Sequence, residues 1–263
     1  MCGIAGFVND MPIDVKCPVL QRMTDMIAHR GPDSEGHYID EHAALGHRRL
    51  SIIDLGGGQQ PIYNEDGSKV ITFNGEIYNY QTLREELIAA GHTFTTKSDT
   101  EVLLHGYEQW GVDLLQRVRG MFTFVIWDKN KQELFGARDH FGIKPFYYAK
   151  MNGTFMYASE IKSLLRHPDF VKELNAEALK PYMTFQYPAI GETFFKGVYK
   201  LPEGHYFTYQ DGKMDIHRYY DEDFREGKQK LGELVNSIDQ TVCDSVKAHQ
   251  IADVEVGSFL SSG

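Results

Sequence analysis

The second residue of the chain is a cysteine, set in Met1-Cys2-Gly3-Ile4-Ala5-Gly6-Phe7. An aminopeptidase that removes Met1 would leave its thiol beside a free α-amine. An α-amine titrates near ~8 and a free thiol near ~8.5, so one residue would carry a nucleophile and its base, both poised close to neutrality. A nucleophile served by its own terminal amine suits acyl transfer. The plain alternative is a small buried residue opening a strand. A thiolate attacking a carbonyl needs donors for the oxyanion, and Asn74-Gly75 offers a side-chain amide and an unobstructed backbone N–H. As a strand-to-turn dipeptide, Asn-Gly is also common with no chemistry attached. Arg49 could fork its guanidinium onto a substrate carboxylate, and Asp99 could receive a substrate ammonium. Together they would recognise an α-amino acid by its zwitterion. Taken singly, Arg49 also reads as an edge-strand cation and Asp99 as a helix cap.

These residues need elements to position them. Ile4 and Phe7-Val8, with small residues between, suit a buried first strand, and Leu20, Met23, Met26 and Ile27 recur at helical spacing over Val19 to His29. Arg30-Gly31-Pro32-Asp33 stops that helix and fixes a loop. Strands are expected at Gly36 to Ile39, Ala43 to Ile53 and Val70 to Phe73. Between the last two, Leu55 to Pro61 reads as a flexible loop with three successive glycines. Leu83, Leu87 and Ile88 stripe a helix from Tyr80 to Ala90 that Gly91 ends, and a second helix follows Ser98-Asp99, with Asp99 as its N-cap. Met121 to Trp127 with Glu133 to Arg138, Pro145 to Tyr148 with Thr154 to Ala158 around Asn152-Gly153, and Gly204 to Tyr209 turning on Asp211-Gly212 read as hairpins. Helices are expected at Glu160 to Arg166 and Ala176 to Met183. At least seven strands and four or five helices make an α+β pattern with layered sheets.

Asp221 to Lys230 is charged and poor in apolar residues, and is the expected linker. Beyond it Leu234, Ile238, Val242 and Val246 stripe a helix from Leu231 to Gln250, followed by an apolar strand over Val254 to Leu260 and the loop Ser261-Ser262-Gly263. Helix, strand and small-residue loop open a doubly wound unit, so the sequence reads as cut early in a second domain.

Bulk properties narrow the class. The 263 residues carry a net charge of −10 with no basic run, which argues against a nucleic-acid partner. Apolar runs fall well short of the roughly 20 residues that span a bilayer, and no signal pattern opens the chain; no membrane association and a cytoplasmic location are expected. Cys2, Cys17 and Cys243 lie far apart, so neither a disulfide framework nor a cysteine metal site is expected. The 11 histidines include no His-Glu-x-x-His, and no metal site is expected from them.

Taken jointly, Met-Cys-Gly-Ile, Arg-Gly-Pro-Asp, Arg-Leu-Ser-Ile, Phe-Asn-Gly-Glu-Ile-Tyr-Asn, Ser-Asp-Thr-Glu and Gly-Met-Phe-Thr-Phe, in that order, resemble the class II glutamine amidotransferases. The matches spread over most of the first 220 residues. The resemblance implies a four-layer αββα N-terminal nucleophile sandwich of antiparallel sheets over residues 2–220, and hydrolysis of L-glutamine through a glutamyl thioester, without a cofactor. It makes Cys2 the nucleophile, and Asn74 and Gly75 the oxyanion hole. Arg49, Asn74, Glu76 and Asp99, with the backbone at Leu50 and Ile52, would hold glutamine.

The tail, Val256 to Gly263, is similar to the opening of the pyrophosphate loop of asparagine synthetases, with Ser262 where most members carry glycine. By that resemblance residues 221–230 are a linker and 231–263 the first helix and strand of an α/β ATP-pyrophosphatase-like domain. Phe259, Ser261, Ser262 and Gly263 would form part of its ATP site. ATP, Mg2+ and aspartate are then implied for the longer parent, and a homodimer is an open possibility. Two other readings stay open: the ammonia could serve a different activated acyl acceptor, or the chain could be a catalytically silent regulatory or binding module.

Overall fold

The computed structural model describes residues 1–187, 191–227 and 229–260. In chain order the first half runs β1 (Gly3–Val8), α1 (Ile13–Asp25), β2 (Ser34–Ile39), β3 (Ala43–Arg49), β4 (Ile62–Tyr63), β5 (Lys69–Ile77), α2 (Tyr80–Ala89), α3 (Asp99–Trp110) and α4 (Leu114–Arg117). The second runs β6 (Gly120–Asp128), β7 (Glu133–Arg138), β8 (Tyr147–Met151), β9 (Thr154–Ala158), α5 (Ile161–Leu164), α6 (Ala176–Phe185), β10 (Val198–Lys200), β11 (His205–Gln210), β12 (Lys213–Arg218) and α7 (Leu231–His249). Among the described residues, twelve strands form two six-stranded sheets, ordered β10-β8-β9-β1-β3-β2 and β12-β11-β7-β6-β5-β4, and every pairing within them is antiparallel.

Side-chain alternation sorts the layers, because successive residues of a strand face opposite sides of its sheet. From β1, Ile4 joins Leu45, Val125, Trp127, Phe155 and Tyr157 in the core between the sheets, whereas Ala5 and Phe7 meet Leu20 and Met23 of α1 on the outside. On the other sheet Ile71 and Phe73 pack outward against Leu87, Val102 and Leu103 of α2 and α3. The result is the expected αββα sandwich. β1 is crowded by its own sheet neighbours β9 and β3: a Cβ on Gly6 would lie 2.4 Å from the Tyr157 hydroxyl and 2.5 Å from the Ala44 carbonyl oxygen, so only glycine fits there.

The hairpins form where turn chemistry asks for them. Asn152-Gly153 and Asp211-Gly212 all take positive φ, which only such residues adopt readily and which matches the twist of two-residue hairpins. Gly91, at φ +105°, ends the turn after α2 as expected.

Several boundaries differ from expectation. The strand read as Val70 to Phe73 runs on to Ile77, pairing residue by residue with β6, so Asn74-Gly75 lies inside a strand and not in a turn. A Cβ on Gly75 would meet the Met121 carbonyl oxygen at 2.2 Å, which explains that glycine by close strand approach. β3 stops at Arg49 instead of Ile53. The N-cap of α3 is Ser98, whose hydroxyl accepts the Thr100 N–H, and Asp99 is the first helical residue. α7 forms as expected, but its stripe of Leu234, Ile238, Val242 and Val246 is exposed. The strand expected over Val254 to Leu260 is absent: the segment is irregular, and with no neighbouring strand its backbone groups have no ladder to join. Ser261, Ser262 and Gly263 lie outside the described residues.

Candidate active site

The sandwich brings β1, the β3 end, β5 and the start of α3 to one rim, around a cleft of about 230 Å³. All eight residues expected to act on glutamine (Cys2, Arg49, Leu50, Ile52, Asn74, Gly75, Glu76 and Asp99) line it. Cys2 sits just ahead of β1, its Sγ 3.4 Å from the donating Leu50 N–H and 3.5 Å from the Leu50 carbonyl oxygen. Burial pushes the Cys2 thiol up from its ordinary value. Arg30 Nε donates to the Cys2 carbonyl oxygen at 2.9 Å, so the Arg-Gly-Pro-Asp loop holds the Cys2 backbone.

Asn74 faces inward from β5 and is 1% exposed. Its amide nitrogen has no hydrogen-bond partner among the described residues. A buried donor left unmade is costly, on the order of 1–3 kcal/mol, so a group that enters the cleft and accepts from it is favoured. Arg49 closes the other side. Its guanidinium donates to the carbonyl oxygens of Ile53 (2.9 Å), Asp54 (2.6 Å) and Leu55 (3.4 Å). That fixes the loop carrying Leu50 and Ile52, and a Cβ on Gly58 would collide with the guanidinium at 2.6 Å.

Asp99, 5% exposed at the head of α3, accepts the Ile77 N–H at 3.0 Å. Burial, with Glu76 adding repulsion, raises its carboxyl to about 7. Glu76 is also raised by burial, opposed by Lys144 and the terminal amine. Both carboxyls are raised by burial in one cleft, and a cation beside them would favour their charged forms.

Residues 1–220 match the family model described as "Glutamine amidotransferase domain". The chain belongs to this glutamine amidotransferase family. Over its whole length it is 45% identical to a protein named asparagine synthetase [glutamine-hydrolyzing] 1 of Bacillus subtilis (strain 168), of which it spans 42%. It is 34% identical over its whole length to a protein named amidase chry2 of Gibberella zeae, of which it spans 41%. The chain thus covers less than half of these curated relatives. Among solved structures, the glutamine phosphoribosylpyrophosphate amidotransferase of B. subtilis superimposes with a TM-score of 0.61 at 18% identity, covering 83% of this chain and 49% of that one. That likeness carries the sandwich fold.

The amidotransferase cleft holds further residues that carry no separate signal in the sequence. Lys144, 3% exposed, reaches the cleft from the loop before β8, with its Nζ 3.0 Å from Met1 Sδ. Gln60 ties the walls together, accepting the Phe73 N–H at 2.6 Å and donating to Thr100 at 3.2 Å. Each is a lone polar residue in a loop, and only the fold brings it to the rim. The segment after α7 also reaches this rim: Asp253 accepts the Asp54 N–H at 2.7 Å and donates its own N–H to Ile52 at 2.9 Å. Phe259, expected at an ATP site, is fully exposed. Among the described residues, no helix is long and apolar enough to cross a membrane.

Proposed function

We propose that the domain hydrolyses L-glutamine to glutamate and ammonia, with Cys2 as nucleophile once Met1 is removed. The α-amine of Cys2 takes the thiol proton, and the sulfur attacks the glutamine side-chain carbonyl carbon. The oxyanion forms against Asn74 Nδ2 and the Gly75 N–H. Collapse breaks the C–N bond, and the terminal ammonium returns its proton to the leaving nitrogen. Water then opens the thioester, releasing glutamate and the free thiol. Asp99 and Glu76 receive the substrate ammonium. Arg49 receives the substrate carboxylate with the two of its five donors not engaged by the loop, a count that follows from its three hydrogen bonds.

The observation that carries this reading is the unpartnered amide of Asn74 in the same cleft as the Cys2 sulfur. The test is ammonia release from glutamine by the unaltered chain, by Cys2→Ala and by Cys17→Ala. Loss only in Cys2→Ala supports the assignment; equal activity in Cys2→Ala and the unaltered chain overturns it.

For the longer parent we propose a cytoplasmic asparagine synthetase that passes this ammonia to aspartate activated with ATP and Mg2+, in a second domain beginning near Leu231. The 45% identity to a relative of that name supports this. A different acyl acceptor is the second reading, favoured only by the likeness to a protein named an amidase. Under either reading, this chain alone should release ammonia and make no asparagine.

A further inference from the structure

Away from the cleft, Glu65, His92, His105 and Glu108 each offer one ligand atom, and these four atoms lie within 4.8 Å of one another. They come from separate parts of the chain. Glu65 belongs to the turn between β4 and β5, His92 to the loop after α2, and His105 and Glu108 to successive turns of α3. None takes part in the glutamine chemistry above. His92 Nδ1 lies 3.2 Å from one Glu65 oxygen, and His105 Nδ1 lies 3.3 Å from the other and 3.2 Å from Glu108. An ion bound tetrahedrally at about 2.0–2.1 Å sets its ligand atoms roughly 3.3 Å apart. The Glu65 Oε2, His105 Nδ1 and Glu108 contacts have that spacing, and His92 and the rest of the set fall within 4.8 Å and would draw in around an ion.

We propose that Glu65, His92, His105 and Glu108 form a site for a divalent transition-metal ion, with zinc the best match to two imidazole nitrogens and two carboxylates. Spacing alone would suit a plain ion-pair cluster as well, and it is the outer contacts that favour a metal. His92 Nε2 lies 3.2 Å from Gln109 Oε1, and His105 Nε2 faces Glu101 at 3.5 Å. The Glu101 carboxylate is itself fixed by the backbone N–H and hydroxyl groups of Thr95 and Thr96. Glu108 accepts from Asn64 Nδ2 at 2.7 Å, and Glu65 from the Thr93 N–H at 3.1 Å. Three of the four donors, His92, Glu108 and Glu65, are thus oriented by hydrogen bonds from behind, as ligands of a built metal site are, while His105 Nε2 has Glu101 nearby without a hydrogen bond among the described residues. Three carboxylates converge here, each within pairing distance of the His105 imidazole, and among the described residues Lys69, 3.5 Å from Glu108, is the single Lys or Arg paired with any of them. A bound ion would tie the loop before α3 to the middle of that helix, whose first residue is Asp99.

The test is titration of Zn2+, and in parallel Co2+, into the chelator-treated 263-residue chain with Cys2, Cys17 and Cys243 changed to serine, so that no thiol competes. Calorimetry reads stoichiometry and affinity, and the Co2+ d–d bands read geometry. The expected result is one ion per chain with an intense tetrahedral Co2+ spectrum. His92→Gln and Glu108→Gln should abolish or severely weaken binding. Gln109→Ala, an exposed outer partner whose loss leaves the fold intact, should weaken it about 10-fold. No stoichiometric binding, a weak octahedral spectrum, or equal affinity in all three variants with unchanged circular dichroism would overturn the proposal.

Discussion

A carboxyl buried at the head of a helix and titrating near neutrality has consequences for both binding and stability. Asp99 rises to about 7 in the free domain, so below that pH it is protonated and cannot pair with a substrate ammonium. The glutamine kcat/KM should therefore fall on the acid side with an apparent pKa near 7, and Asp99→Asn should lose that limb while binding glutamine poorly at every pH. The stability effect follows from linkage: the folded state holds the proton up to about 7 whereas the unfolded chain releases it near 3.8, so stability falls as pH rises between the two. In denaturant titrations without glutamine, Asp99→Asn should exceed the unaltered chain at pH 8, by up to about 4 kcal/mol, and match it near pH 4. At Asn74, removing the lone amide donor should lower kcat by roughly 10²- to 10³-fold with little change in fold. An Asn74→Ala variant with undiminished kcat would place the oxyanion elsewhere. That the eight residues expected to act on glutamine share one cleft was legible because each lies in a compact motif of distinctive composition. Lys144 and Gln60 were not: a single polar side chain in a loop has no local pattern, and its place depends on contacts across sheets.

At the scale of elements, the hairpins and helices were readable because alternation, helical spacing and Asn-Gly or Asp-Gly turns are local properties. What escaped was the role of pairing. Asn74-Gly75 has the composition of a turn, yet β6 offers a continuous ladder from Gly120 to Asp128, and tertiary pairing overrides the dipeptide preference. In the other sheet, the pairing of β1 with β3 and β9 makes Gly6 intolerant of a side chain. Gly6→Ala should lower stability by about 1–3 kcal/mol or prevent folding, read as a reduced urea midpoint, while Gly91→Ala, with open space around its Cβ position, should cost less despite its positive φ. At α3, Ser98→Ala removes the side-chain cap and should cost about 1 kcal/mol.

Across the whole molecule, the layered α+β class was visible in the order of elements, but the strand order was not, since β1 pairs with β3 and β9 across long stretches of chain. The segment after α7 was misread for a similar reason: Val254 to Leu260 is apolar enough for a strand, yet a strand forms only beside a partner. Instead Asp253 grips the loop that Arg49 organises, a link spanning 199 residues of sequence. Asp253→Ala should raise the glutamine KM roughly five- to tenfold, the worth of about 1 kcal/mol of hydrogen bonding, with kcat nearly unchanged. The central claim is that sulfur and base belong to one terminal residue. Its most direct test is peptide mass spectrometry of the active chain after inactivation by a diazoketone analogue of glutamine. The adduct should fall on Cys2 in a chain that has lost Met1, and an adduct elsewhere, or on Cys2 with Met1 retained, would contradict it.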